Sequence, residues 1–190
     1  PVTAAAADKK NMPLQIKAIG NVEAYNAVSV KPQVNGEISD VFFREGQDVK
    51  QGRMLFRIDP RPFEAALRQA ESALARDRAQ AKNAQAERAR YEALAAKGVV
   101  SQQEHDRALT NAAALDAVVQ ADEAAVENAR LQLEYTVILS PINGRTGAIT
   151  VQKGNVVKAN DLPLVTINQI APIYVTFSAP EQDLANIKRF

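Results

Sequence analysis

The sequence predicts an α+β protein: a small β-sandwich in two similar halves, cut open by a long helical hairpin, with part of a third β module at the chain ends. Three observations predict it. First, "KPQVNGEISDVFFREGQDVKQG" at 31–52 is echoed by "SPINGRTGAITVQKGNVVKAN" at 140–160. Second, the stretch between them is free of proline from 63 to 140, has Gly98 as its only glycine, and contains 22 alanines between 63 and 135. Third, alternating apolar residues reappear at both ends of the chain, outside the repeat.

The repeat comes first because it sets the frame. Asn35-Gly36 matches Asn143-Gly144, Gly46 matches Gly154, and Val49-Lys50 matches Val157-Lys158, all at an offset of 108 residues. "LFRID" at 55–59 matches "LVTIN" at 164–168 with one added residue. Each half therefore reads as an Asn-Gly turn, an alternating strand, a glycine turn and two further strands. Gly36, Gly46, Gly144 and Gly154 are the expected structural turns. Ile38, Val41 and Phe43 mark the apolar positions of the first half, with a slip at Asp40 that fits a bulge. Ile149 and Val151 mark those of the second. A half of this kind cannot bury its apolar face alone, so the halves are expected to pack on each other.

The intervening composition calls for two long helices, broken once at "AAKGVVS". Pro60 and Pro62 suit the entry to the first helix, where no interior donor is lost. Lys97-Gly98 is a helix stop, and Ser101 with Glu104 has the spacing of a capping box. A heptad frame selects Phe63, Leu67, Ala70, Leu74, Asp77, Ala81, Ala84, Arg88, Tyr91 and Ala95 in the first helix. In the second it selects Ser101, His105, Ala108, Ala112, Leu115, Val119, Asp122, Val126, Ala129 and Leu133. Folded back antiparallel, this frame sets Phe63 on Leu133, Ala81 on Leu115 and Tyr91 on His105. Asp77 and Asp122 then fall one layer apart, where carboxylates are expected to meet arginines.

At the ends, residues 1–12 read as a linker. Leu14, Ile16 and Ala18, then Val22 and Ala24 beyond Gly20, read as one strand, and Ile173, Val175 and Phe177 as another. Residues 13–29 and 170–190 thus form a partial module. After Pro180, Leu184, Ile187 and Phe190 begin an amphipathic helix that stops in mid-pattern, as a fragment would.

Composition narrows the function. The 190 residues carry 23 Lys and Arg against 22 Asp and Glu, a net charge of +1. There is no basic cluster and no tryptophan, so nucleic acid is not an expected partner. The absence of cysteine removes disulfides and thiolate metal sites. No run of apolar residues is long enough to span a membrane. Residue 1 is proline, not an initiator Met, so the chain reads as a processed or cut product that an anchor or export signal could have preceded. The single histidine, His105, has no nucleophile or carboxylate arrangement that the sequence forces beside it. No phosphate-cradling loop and no metal-ligand spacing is present. No enzyme, catalytic residue, metal or cofactor is expected.

The doubled segment resembles the biotinyl/lipoyl-carrier fold, residues 30–59 and 136–169 forming the lipoyl-like β-sandwich. In true carriers a modified lysine occupies the tight turn between halves. Here that turn is replaced by the hairpin of residues 60–135, and "IDPRPF" holds no lysine, so the carrier reading is the weaker alternative. Taken in order, "VKPQVNGEI…EGQDVKQG", "IDPRPFEAAL", "NARLQLEYTVILSPINGRTG" and "PIYVTFS" resemble the membrane-fusion proteins of the HlyD-like family. These are the periplasmic adaptors of tripartite efflux pumps, and the likeness is strongest to those serving resistance-nodulation-division (RND) drug transporters. The resemblance spans residues 13–190 and implies that the end strands belong to a β-barrel domain. It implies a periplasmic location attached to the inner membrane. The implied partners are a proton-driven RND transporter, a TolC-like outer-membrane channel and further copies of the adaptor, as a hexamer or trimer of dimers. It also implies a docking motif at the hairpin tip, R-x3-L-x6-S, met here by Arg90, Leu94 and Ser101. An adaptor for an ATP-driven exporter is the alternative within the family.

Overall fold

A computed structural model describes residues 8–9 and 18–178 of the chain. The elements run β1 (Gly20–Val30), β2 (Gly36–Val41), β3 (Asp48–Val49), β4 (Met54–Ile58), α1 (Arg61–Ala95), α2 (Gln102–Glu134), β5 (Val137–Leu139), β6 (Gly144–Thr146), β7 (Val156–Val157) and β8 (Val165–Phe177). Two four-stranded sheets, ordered β1-β8-β6-β3 and β5-β4-β2-β7, face each other as a sandwich. The N-terminal residues Leu14 and Ile16 and the pattern of Leu184, Ile187 and Phe190 lie outside the described residues.

The two halves interlock. Strand β2 of the first half pairs with β7 of the second, and β3 pairs with β6. The hydrogen bonds repeat at the offset read from the sequence. Gly46 N–H donates to the Thr146 carbonyl as Gly154 N–H donates to that of Ile38. Asn143 Oδ1 accepts from Gln51 N–H at 2.8 Å, and Asn35 Oδ1 accepts from Ala159 N–H at 2.7 Å. The sandwich core consists of Val30, Val34, Ile38, Phe43, Val49, Leu55, Phe56, Ile58, Ile138, Val157, Leu164, Val165 and Ile167. Phe43 meets Phe56 edge-on, with centroids 5.2 Å apart. Burial of these side chains from both halves holds the cut sandwich closed although the hairpin separates them in sequence.

The expected glycine turns divide into two kinds. Gly46 and Gly154 lie at φ of 72° and 89°, the left-handed region that glycine enters without steric cost. Gly36 and Gly144 instead open strands β2 and β6. A Cβ there would meet Ile58 Cγ2 at 2.5 Å and the Asn168 carbonyl oxygen at 2.6 Å, so close approach is what requires glycine. The slip at Asp40 is a register shift in the β2–β4 pairing, between Ile38 and Asp40. Ile149 and Val151 form no strand: they lie half-buried in an irregular segment against the core, with Ile149 N–H donating to Glu45 Oε1.

Strands β1 and β8 pair antiparallel along almost their whole lengths, with a register shift between Ala24 and Asn26. They start in the sandwich and run out of it without interruption, through the sequence positions 29–30 and 169–170 where the modules were expected to meet. Beyond the sandwich they form a two-stranded ribbon. One face pairs Ala24 with Ile173, Val22 with Val175 and Gly20 with Phe177, all exposed except the half-buried Ala24. The other carries Glu23 beside Tyr174, and Tyr25 stacks on Tyr174 with centroids 5.0 Å apart.

The hairpin helices have 35 and 33 residues, so each spans about 50 Å at about 1.5 Å per residue. Of the heptad positions only Arg88 and Ser101 are fully exposed; the rest are buried or half-buried. The layer register differs from expectation. Arg78 bonds Glu123 at 2.6 Å, Gln85 bonds Asp116 at 2.7 Å, and Asp77 faces Asp122 directly. The sequence frame had placed Asp77 over Val119. Heptad spacing fixes which face of each helix is inward but leaves the axial offset to the turn, and the turn shifts it by one layer. Arg76 binds Asp77 through two nitrogens, as expected for a carboxylate in this seam.

Candidate docking site at the hairpin tip

The hairpin tip is built from two helix ends. Helix α1 closes with Gly98 N–H donating to the Ala95 carbonyl and Val99 N–H to that of Leu94, Gly98 standing at φ of 70°. This is a Schellman closure, which brings the residue after the glycine back over the last turn. Leu94 is half-buried there. Val99 is 66% exposed and is the large apolar side chain that the tip presents to solvent.

Helix α2 starts at the N-cap Ser101, with φ −71° and ψ 152°. Ser101 Oγ accepts from Glu104 N–H at 3.3 Å and donates to Glu104 Oε2 at 2.9 Å. Glu104 Oε2 also accepts from Ser101 N–H at 3.0 Å, completing a capping box. That backbone bond, and then the hydroxyl, hold the Glu104 carboxyl below its ordinary range. The single proton of the Ser101 hydroxyl is therefore used inside the cap, and toward a partner this oxygen can only accept.

Arg90 is exposed and makes no ion pair among the described residues. It stands four residues before Leu94, so the two share one face of α1. The fold thus groups Arg90 and Leu94 on one helix and carries Ser101 across the turn as a cap. Val99 was absent from the sequence motif. The signal that finds it is its place directly after the helix-stop glycine, where a Schellman turn exposes or folds back an apolar residue.

Tyr91 and His105 are both half-buried near the tip, and His105 Nδ1 lies 3.3 Å from Asp106 Oδ1. Among the described residues no group of three or more His, Asp or Glu side chains is arranged to hold a metal ion. No helix among them is long and apolar enough to cross a membrane.

A sandwich of two interlocked, quasi-symmetric halves that projects a helical hairpin defines a barrel-sandwich hybrid. Residues 26–168 match the family model described as the barrel-sandwich hybrid domain of RND membrane-fusion proteins. The chain is 43% identical over 188 residues to the multidrug resistance protein MdtA of Proteus mirabilis, covering 98% of this chain and 46% of that protein. The MdtA protein of Erwinia amylovora matches equally, at 43% identity and the same coverage. Among solved structures, a MacA-MexA chimera containing the Pseudomonas aeruginosa MexA α-hairpin superposes with a TM-score of 0.61 at 31% identity. That match covers 90% of this chain and 58% of the chimera. The chain belongs to the RND membrane-fusion protein family. It spans a little under half the length of the MdtA relatives.

Proposed function

We propose that this chain is the scaffold of a non-catalytic periplasmic adaptor in a multidrug efflux pump, attached to the inner membrane. In that reading it joins a proton-driven RND transporter to a TolC-like outer-membrane channel, and the hairpin tip docks on the channel. The observation that carries the reading is the tip itself: a hairpin about 50 Å long, fixed at its base by the sandwich, ends in an exposed Arg90 and an exposed Val99. The 43% identity to multidrug resistance proteins supports the same direction.

The roles at the tip follow from their surroundings. Arg90 supplies a guanidinium with free donors, suited to a charge-assisted bond with a carboxylate or carbonyl on the channel. Val99 supplies the apolar knob, and Leu94 supports it from beneath. Ser101 fixes where α2 begins, so its contribution is to hold the tip in shape and to offer one acceptor. The sandwich and the ribbon then serve self-association in a hexameric ring and contact with the transporter.

Photo-crosslinking from position 97, exposed at the tip, tests the reading in the full-length protein inside Gram-negative cells. An adduct with a TolC-like channel is the expected outcome. Adducts between adaptor copies alone would remove the docking role of Arg90, Leu94, Val99 and Ser101 and leave the fold unaffected.

A further inference from the structure

The middle of the hairpin seam contains a pair of acids that the adaptor reading does not use. Asp77 on α1 is 6% exposed. Asp122 on α2 is half-buried, faces Asp77, and its Oδ2 is buried with no hydrogen-bond partner. The seam positions on either side are apolar: Leu74 and Ala81 on α1, Val119 and Val126 on α2. We propose that Asp77 and Asp122 form a proton-operated joint: with one proton shared between the two carboxyls the helices close on this layer, and with that proton lost they part there.

The charges that reach the pair are few. Arg76, on α1, places Nε at 2.7 Å and Nη2 at 2.8 Å from the two oxygens of Asp77. Its bidentate bond is directed at Asp77, and it reaches Asp122 only through its charge. On the flank, Arg78 of α1 is bound to Glu123 of α2 at 2.6 Å, so that cation already has its own acid. Two carboxylates and one guanidinium leave one surplus negative charge at a layer where Asp77 and the Oδ2 of Asp122 are buried. Ionised carboxylates are acceptors only, so a hydrogen bond between Asp77 and Asp122 requires a proton. Placed on Asp122, one proton makes that bond and removes the surplus charge.

The direction of each titration follows. Burial, and then the neighbouring Asp77, raise Asp122 above the ordinary carboxyl range. The stabilisation from its protonated form is complete below the ordinary carboxyl pKa and is lost as pH climbs through the raised folded value. Arg76 lowers Asp77, whose contribution is present above the ordinary pKa and lost as pH falls through the depressed value. Hairpin closure is thus tightest between the two values and loosens on the alkaline side. The backbone bonds within each helix do not depend on this proton, so the change is one of packing between helices. It does not depend on what the tip binds.

The chain lacks cysteine, so spin labels at Gln80→Cys and Gln120→Cys, both exposed, report the distance across this layer without background. Between about pH 4 and about pH 9, the distance distribution is expected to broaden and lengthen with one titration, while helicity by circular dichroism stays constant. Asp122→Asn, whose amide donates to Asp77 at every pH, is expected to hold the short distance throughout. Arg76→Gln removes the charge that favours ionised Asp122, so the transition should move to higher pH. A parent distribution that does not change with pH overturns the proposal. So does an unmoved transition in Arg76→Gln, which tests the idea even if Asp122→Asn does not fold.

Discussion

Gly46 and Gly154 at one kind of turn, and Gly36 and Gly144 at another, look alike in the sequence repeat but are required for different reasons. At Gly154, φ of 89° makes any side chain strained although nothing lies within 4 Å of a Cβ. Gly154→Val should therefore cost about 1–2 kcal/mol, read as a lower denaturant midpoint at constant slope. At Gly144 the added Cβ would strike the backbone of β8 at 2.6 Å, and backbone cannot swing away. Gly144→Ala should cost more than Gly154→Val, even though alanine is the smaller residue. Equal effects would show that the β6–β8 contact yields easily. The paired asparagines make a further comparison. Asn35→Ala and Asn143→Ala each remove one bond to a backbone N–H of the opposite half and should each cost about 1 kcal/mol.

At the scale of elements, the hairpin tip separates capping from docking. Ser101→Ala removes a cap and should lower hairpin stability by about 1 kcal/mol. Because the Glu104 carboxyl is held below its ordinary range, its half of the capping box contributes above the ordinary pKa and is lost as pH falls through the depressed value. Ser101→Ala should accordingly lose less in strong acid, where of its side-chain bonds chiefly the pH-independent one from Glu104 N–H to Ser101 Oγ is left to remove. Val99→Glu alters an exposed side chain, so helicity and melting should stay within error while drug resistance in cells falls to that of cells lacking the protein. Leu94→Glu should likewise abolish resistance, with a small loss of stability because Leu94 is half-buried under the turn. Unchanged resistance for both, at equal protein level, would count against tip docking.

For the whole molecule, the ribbon is the surface left without a partner among the described residues. Its apolar side chains Val22, Ile173, Val175 and Phe177 are exposed on one face, and two strands do not make a stable module alone. The relatives are about twice as long as this chain, and the proposed role for this face is to be covered by the remainder of a barrel domain. Val175→Asp should leave the melting of the 190-residue chain unchanged within about 0.5 kcal/mol. In the full-length protein the same substitution should destabilise by several times that amount. A full-length protein indifferent to Val175→Asp would show that the ribbon face stays open.

The constant offset of 108 residues, the alanine-rich stretch without proline, and the signals at Lys97-Gly98 and Ser101 made the split sandwich, the two helices and the capping box legible in the sequence. Each is written in local spacing, which backbone sterics and hydrogen bonding translate directly. The roles of Gly36 and Gly144, the irregular course of Ile149 and Val151, and the exposure of Val99 were not legible, because they depend on what lies opposite in space. The same holds for the meeting of Asp77 with Asp122. Periodicity chooses the inward face of a helix, but only the packed turn and the closed sandwich set how far one helix slides along the other.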